Sequence, residues 1–456
     1  MQKILAEYFR CPDASGGFTV GGRLPQQAEF FSFGSGIMCY GRVCQGGHSN
    51  SSNSHVRDVL TDVHVNESVI ELPFDPSEVI DNLRYERYVF VDGKGHGRRM
   101  QSPIRSAYYL ARPLLPVGLR KHLQRAHFSG WQRLSFPKWP VDSTVDSVLE
   151  RLLAIAIRSA GMKPIPFIWF WPKGAIAAAI MTHDVETEKG VQRSSYMMDV
   201  NESFGIPASF QIVPEQRYVV RDYYLSEIRR RGFEVNVQDL NHDGHLFRDF
   251  TEFKRRVVKV NQYGREFGAL GFRSAVLYRN QEWYDLLKFE YDMSVPNVAH
   301  LDPQRGGCCT VMPYFVGDLV ELPVTTTQDY TLFHILNDYS LHLWEEQIGL
   351  ILQKHGLLNL IIHPDYITGP REEKTYRGLL AILARLRREQ NVWVALPREV
   401  SSWWRQRSRM TIVERNGDWR VEGPGSERAQ VAFATIEDGE LTYNFPSTPV
   451  SAKIQF

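Results

Sequence analysis

Between Ala175 and about Arg405, apolar and polar positions follow two alternating rhythms. Short apolar runs of strand length occur at Ala175 to Met181, Ala208 to Val213, Phe233 to Val237, Leu319 to Val324, Leu358 to Ile362 and Val392 to Ala395. Segments with helical spacing lie between them: Gln192 to Phe204, Tyr218 to Arg231, Phe250 to Phe267, Gln281 to Phe289, Leu341 to His355 and Glu372 to Gln390. In the third of these, Phe250, Phe253, Val257, Val260 and Phe267 roughly share one face. Strand–helix alternation predicts a parallel sheet covered by helices. Repeated about six or seven times, it favours a (β/α) barrel over an open sheet, and either fold places function just beyond the strand ends.

The flanks have a different texture. From Met1 to about Gly161, Gly-rich turns separate short β-like runs such as Glu29 to Phe33, and the polar stretch Gly46 to Ser54 reads as an exposed loop. Asp75-Pro76-Ser77-Glu78 predicts a helix start with Asp75 as N-cap. Val145, Val148, Leu149, Leu152, Leu153 and Ile155 predict an amphipathic helix over Ser143 to Ser159. Lys163 to Gly174 reads as an entry segment. After Thr411, short alternating runs around Asn416-Gly417 predict a hairpin within a small β module. Three regions are therefore expected: residues 1–162 mixed α+β, 163–405 the barrel, and 406–456 a β-rich module.

Composition narrows the options. Basic and acidic residues balance to a net charge of +1, which gives no electrostatic reason to expect nucleic acid or an anionic membrane as partner. The five Cys do not pair into a disulfide framework, and Cys39, Cys44 and His48 make only a weak zinc pattern, so free thiols in a reducing compartment are expected. No signal peptide or run of transmembrane length is visible, and a cytoplasmic location is expected. Ten Trp and twenty Tyr suit stacking on sugar rings, although core packing accounts for most aromatics.

Candidate chemistry gathers at the strand ends. Thr182-His183-Asp184-Val185-Glu186 puts two carboxylates on one side of extended chain, which suits a metal ligand beside a general base, or a helix cap. Gln238 to His245 offers His242 and His245 as ligands, although Asp243-Gly244 is also a good turn. Arg273 could orient a carboxylate or cap a helix. Asp292, in Tyr291 to Pro296, and Tyr366 are candidate substrate-binding residues. His363, at the end of the apolar run Leu360 to Ile362, is a general-acid candidate.

In this order the motifs resemble those of the polysaccharide deacetylases, the NodB-homology carbohydrate esterases, over about Ala175 to Arg405. Thr182 to Glu186 is similar to a D-x-E variant of the family's first motif. Gln238 and His242 stand at the two histidines of its H-x-x-x-H motif. Arg273 matches R-x-P with Ala275 in place of Pro, Asp292 to Pro296 resembles the fourth motif, and Leu360 with His363-Pro364 matches L-x-x-H-P. The resemblance implies a distorted (β/α)₇ barrel. It implies Asp184 as general base, His363 as general acid and Arg273 as the residue that aims Asp184. Glu186, His242 and Gln238 would be the metal positions, with zinc the usual ion. The implied substrate is an N-acetylated oligo- or polysaccharide of a surface or exopolysaccharide, or its precursor. The departure at Gln238 weakens the zinc set, because a neutral amide oxygen replaces an imidazole. It keeps two alternatives open: an inactive deacetylase-like glycan-binding or scaffold protein, and a metal-independent amide hydrolase on the same fold.

Overall fold

The computed structural model describes residues 4–12, 17–44, 56–66, 69–90, 128, 130–446 and 448–449; the loop expected at Gly46 to Ser54 lies outside them. The central sheet contains β1 (Ala177–Val185), β2 (Ala208–Ile212), β3 (Glu234–Gln238), β4 (Gly271–Arg273), β5 (Tyr291–Asp292), β6 (Tyr314–Val316), β7 (Leu319–Glu321), β8 (Leu357–Ile362) and β9 (Val392–Val394). Their order is β6-β7-β5-β4-β3-β2-β1-β8, and β9 also pairs with β1. All pairings are parallel except β6 with β7. Eight strands, β1–β5, β7, β8 and β9, pair in parallel, and the curled sheet is consistent with the distorted (β/α)₇ barrel that the resemblance implies. On one edge, β1 pairs with β9 at Ala177–Ala179 and with β2 from Met181 onward.

Between β7 and β8, side chains replace a ladder. Asn359 Nδ2 donates to the Leu322 carbonyl at 2.9 Å, and the Thr325 and Thr326 hydroxyls donate to Leu357 and Asn359 carbonyls at 2.7 and 2.8 Å. Buried backbone acceptors are thus satisfied where the curled sheet lacks strand pairing.

Five of the six predicted helices form: Glu188–Phe204, Asp222–Arg230, Phe250–Glu266, His342–Gln353 and Pro370–Glu389. The exception is Gln281 to Phe289, which forms a short 3₁₀ turn, Gln281–Leu286. Asn261 explains the stop, since its amide bonds both the Leu286 carbonyl and the Lys288 N–H and holds the chain extended there.

The N-terminal helix Pro76–Arg84 starts as expected, with Asp75 accepting from the Ser77 N–H at 2.9 Å. The helix Thr144–Ser159 buries its predicted apolar face. Asn416 and Gly417, both at positive φ, join Thr411–Arg415 to Asp418–Glu422 in the expected hairpin. The entry segment holds a strand, Ile165–Ile168, which pairs with Val431–Glu437 near the chain's end. One buried cluster runs from Phe9 through Phe167, Trp169 and Trp171 to Ala178 and Ile180 of β1. All five Cys are buried, and none is in a disulfide. Among the described residues, no helix is long and apolar enough to cross a membrane.

Candidate active site at the strand ends

Alternation along β1 sorts its last residues. Thr182 and Asp184 lie on the side that faces Arg273, whereas His183 lies on the other. The Arg273 guanidinium is 3.3 Å from Asp184 Oδ1 and 3.1 Å from the Thr182 hydroxyl. Thr182 in turn donates to the Leu360 carbonyl at 2.8 Å. Asp184 and Arg273 are 4% and 0% exposed, so this is a buried ion pair. Burial pushes the Asp184 carboxyl up and Arg273 pulls it back; the net shift is upward. His183 is engaged elsewhere, by the Ile362 carbonyl at 3.2 Å and the Asn201 amide at 3.0 Å. Burial pushes its imidazole down to about 4.

Glu186 is the centre of the constellation. Its Oε1 lies 2.7 Å from His242 Nε2, 3.4 Å from Gln238 Nε2 and 3.5 Å from His363 Nε2. Burial raises its carboxyl, but His242 and His363 outweigh it and hold the group well below the usual carboxylate range. Gln238 Nε2 also donates to Asp184 Oδ2 at 3.3 Å. The loop after β3 delivers His242 through residues at positive φ, Asp239 and His242 itself. Arg256, on the helix Phe250–Glu266, braces that loop by donating to Asn241 Oδ1 at 3.2 Å and Asp243 Oδ1 at 2.7 Å. His245 sits beside Asp243 at 3.5 Å, on the outer part of the turn.

His363 has a partner that the sequence did not reveal. Asp329 accepts from its backbone N–H at 2.8 Å and lies 2.6 Å from its Nδ1. Burial lowers the imidazole, but Asp329 and then Glu186 raise it well above its usual value. Asp329 is 34 positions upstream, in the segment after β7, and no local motif marks it. Asp365 is a second such residue: it bonds the Glu186 N–H at 3.2 Å and the Thr187 hydroxyl. Gly190 is glycine because a Cβ there would collide with the Asp365 carboxylate. Tyr366 packs its ring on His363, with centroids 4.8 Å apart. Asp292 is 0% exposed and accepts from the Ser294 hydroxyl and N–H at 2.7 and 2.9 Å. Its carboxyl interacts with that of Glu321, which burial and Asp292 together raise well above the usual range.

The donor set can be tested for a cation. His242 Nε2 and Glu186 Oε1 are close, yet among the described residues the nitrogen has no aligned hydrogen bond. Gln238 Oε1 is likewise buried and takes no hydrogen bond. One carboxylate, one imidazole and one amide oxygen suit a divalent ion, more loosely for zinc than two imidazoles would.

No family model and no curated protein matches the sequence. Solved structures do match about half of it. A polysaccharide deacetylase from Mycobacterium smegmatis aligns at 20% identity and TM-score 0.42, covering 52% of this chain and 93% of that one. The peptidoglycan deacetylase PdaC from Bacillus subtilis aligns at 10% identity and TM-score 0.33, over 51% and 93%. The Puue allantoinase aligns at 12% identity and TM-score 0.39, over 51% and 92%. Solved polysaccharide deacetylases are thus among the structures this chain is similar to.

Proposed function

We propose that the chain is a metal-dependent hydrolase that removes N-acetyl groups from amino sugars of a surface or exopolysaccharide or its precursor. The observation that carries this reading is the convergence on Glu186 of two buried acid–base pairs of opposite design. Asp184 is held by a cation, Arg273, at 3.3 Å, and Gln238 links it to Glu186. His363 is held by an anion, Asp329, and comes within 3.5 Å of Glu186 from the other side. A base beside an acid across a small space is what amide hydrolysis requires.

Glu186, His242 and Gln238 Oε1 would hold the ion. When bound, a divalent ion would polarise the acetyl carbonyl and lower the pKa of a water. Asp184 takes the water's proton as the water oxygen bonds to the carbonyl carbon. Arg273 keeps Asp184 ionised and aimed. As the carbon–nitrogen bond breaks, His363 protonates the leaving amine, and acetate and a free amino sugar result. Asp329 fixes the His363 tautomer and favours its charged form before transfer.

Elemental analysis of the purified chain tests the metal claim, with wild type beside Gln238→His. Up to one zinc per chain is expected in wild type, bound about tenfold or more tightly in the variant, because a second imidazole replaces an amide. A full, chelator-resistant zinc complement in neither protein overturns the metal claim. One observation favours a second reading, the metal-independent amide hydrolase: Gln238 Nε2 already bridges Asp184 and Glu186 without a cation. Turnover unaffected by exhaustive chelation would select it.

A further inference from the structure

Outside the acid–base residues, an aromatic band leads away from His363. Tyr366 packs on His363, and Tyr330 packs on Tyr366 with centroids 5.5 Å apart. Tyr330 belongs to a small apolar cluster built on Phe128, Leu301 and Ile335. Two tryptophans from the N-terminal region, Trp131 and Trp139, pack on the same cluster. Their rings meet edge to face at 4.7 Å, and both remain half-buried. His300 stacks behind Trp139 at 5.9 Å, with ring planes 20° apart. It is 1% exposed, and its stacking places it as a flat support behind Trp139. Between Trp139 and the barrel lies a cavity of about 30 Å³, room for about one water. Its wall is apolar at Leu277, Leu301 and Val324 and polar at Asp302, Thr327 and Gln328. Leu277 and Val324 also touch Ile361, two residues before His363.

We propose that Trp131 and Trp139 form a stacking platform for sugar rings of a glycan chain, adjoining the residue deacetylated at Asp184 and His363. The proposal rests on the deacetylase reading and adds to it a substrate longer than one sugar. A pyranose presents an apolar face of C–H groups with slight positive charge, which matches the negative face of an indole. Its rim of hydroxyls needs hydrogen-bond partners, and beside Trp139 the cavity wall carries the Asp302 carboxylate, which accepts from the Gln328 amide at 3.3 Å, and the Thr327 hydroxyl, which accepts from the Gln347 amide at 3.1 Å. The rings are pre-set by their mutual packing and by His300, so little side-chain freedom is lost on binding. The platform comes from the segment before the barrel, which gives the N-terminal region a direct part in substrate selection.

The test uses the full chain and N-acetylglucosamine oligomers of one to six residues. Wild type is expected to prefer the hexamer, and the ratio of kcat/KM for hexamer over monomer should fall about tenfold in Trp131→Ala, equivalent to ~1.4 kcal/mol. Trp131→Tyr, which keeps an aromatic face, should recover most of the preference. A thermal melt of each variant controls for folding. A ratio unchanged in folded Trp131→Ala and Trp139→Ala overturns the platform. Calorimetric binding of the hexamer separates this idea from the reading beneath it. If no oligomer is turned over, hexamer binding that weakens in Trp131→Ala still supports the platform while the deacetylase reading fails. No hexamer binding by wild type overturns the platform, as does a change of oligomeric mass in Trp131→Ala without loss of hexamer affinity, which would make the patch a protein interface.

Discussion

His363 and His183 show how burial and one neighbour set opposite fates for two imidazoles at the ends of adjacent strands. His363 gains a proton affinity from Asp329 that its buried position would otherwise deny it. Asp329→Asn should cut kcat by about 100-fold, within the range of lost acid–base assistance. The alkaline limb of its pH profile should move to lower pH, because the acid loses its proton sooner. An unmoved limb would mean that another group is the acid. His183, without a carboxylate, is held neutral with a value of about 4, against an ordinary 6.5. A base with a depressed folded value contributes stability above the unfolded value and loses it as pH falls through the folded one. The window is therefore pH 6.5 down to about 4, and the shift corresponds to roughly 3 kcal/mol. Denaturant midpoints measured across that window should fall, and His183→Gln, which cannot titrate there, should flatten the slope.

At the scale of elements, most strands and five of the six expected helices of residues 175–405 were legible because their periods differ, about 2 against 3.6, and their lengths are ordinary. The helix at Pro76 was legible from its cap, and the hairpin at Asn416 from its turn residues. The short strands β4 and β5 owe their form to neighbours: Tyr291 pairs with both Gly271 and Val320. Asp184, Glu186, Arg273 and His363 stood out because strand ends are where a barrel displays its chemistry. Asp329 and Asp365 did not, since each acts through the fold on a residue distant in sequence or across a strand end. The strand Ile165–Ile168 was also hidden, its partners lying about 260 positions later. The helix Pro397–Ser408 secures it through Arg407, 2% exposed and bonded to the carbonyls of Ile168 at 2.7 Å, Trp169 at 3.0 Å, Tyr8 at 2.9 Å and Phe9 at 3.2 Å. Arg407→Ala strands three buried acceptors and one partly buried one and should cost about 3 kcal/mol or more in urea unfolding. A loss under about 1 kcal/mol would mean that water replaces the guanidinium there.

Across the whole molecule, the flanking regions and the barrel share one buried cluster, so the chemistry at the strand ends stands on a core that includes Phe9 and Trp169. The N-terminal region reaches the site's surroundings a second way, through the buried ion pair of Glu86 with Arg279, whose backbone is clasped by Gln304. This packing mounts the acid–base pairs around Glu186 on a shared core, which is the fixed separation of base and acid that the proposed hydrolysis needs. Release of acetate tests that claim most directly. The full chain, supplied with zinc and N-acetylglucosamine hexamer, should release acetate and free amine in equal amounts, and Asp184→Asn should lose at least 1000-fold, as expected for a removed general base on a mounted site. Acetate release by folded wild type no faster than by Asp184→Asn would contradict the account.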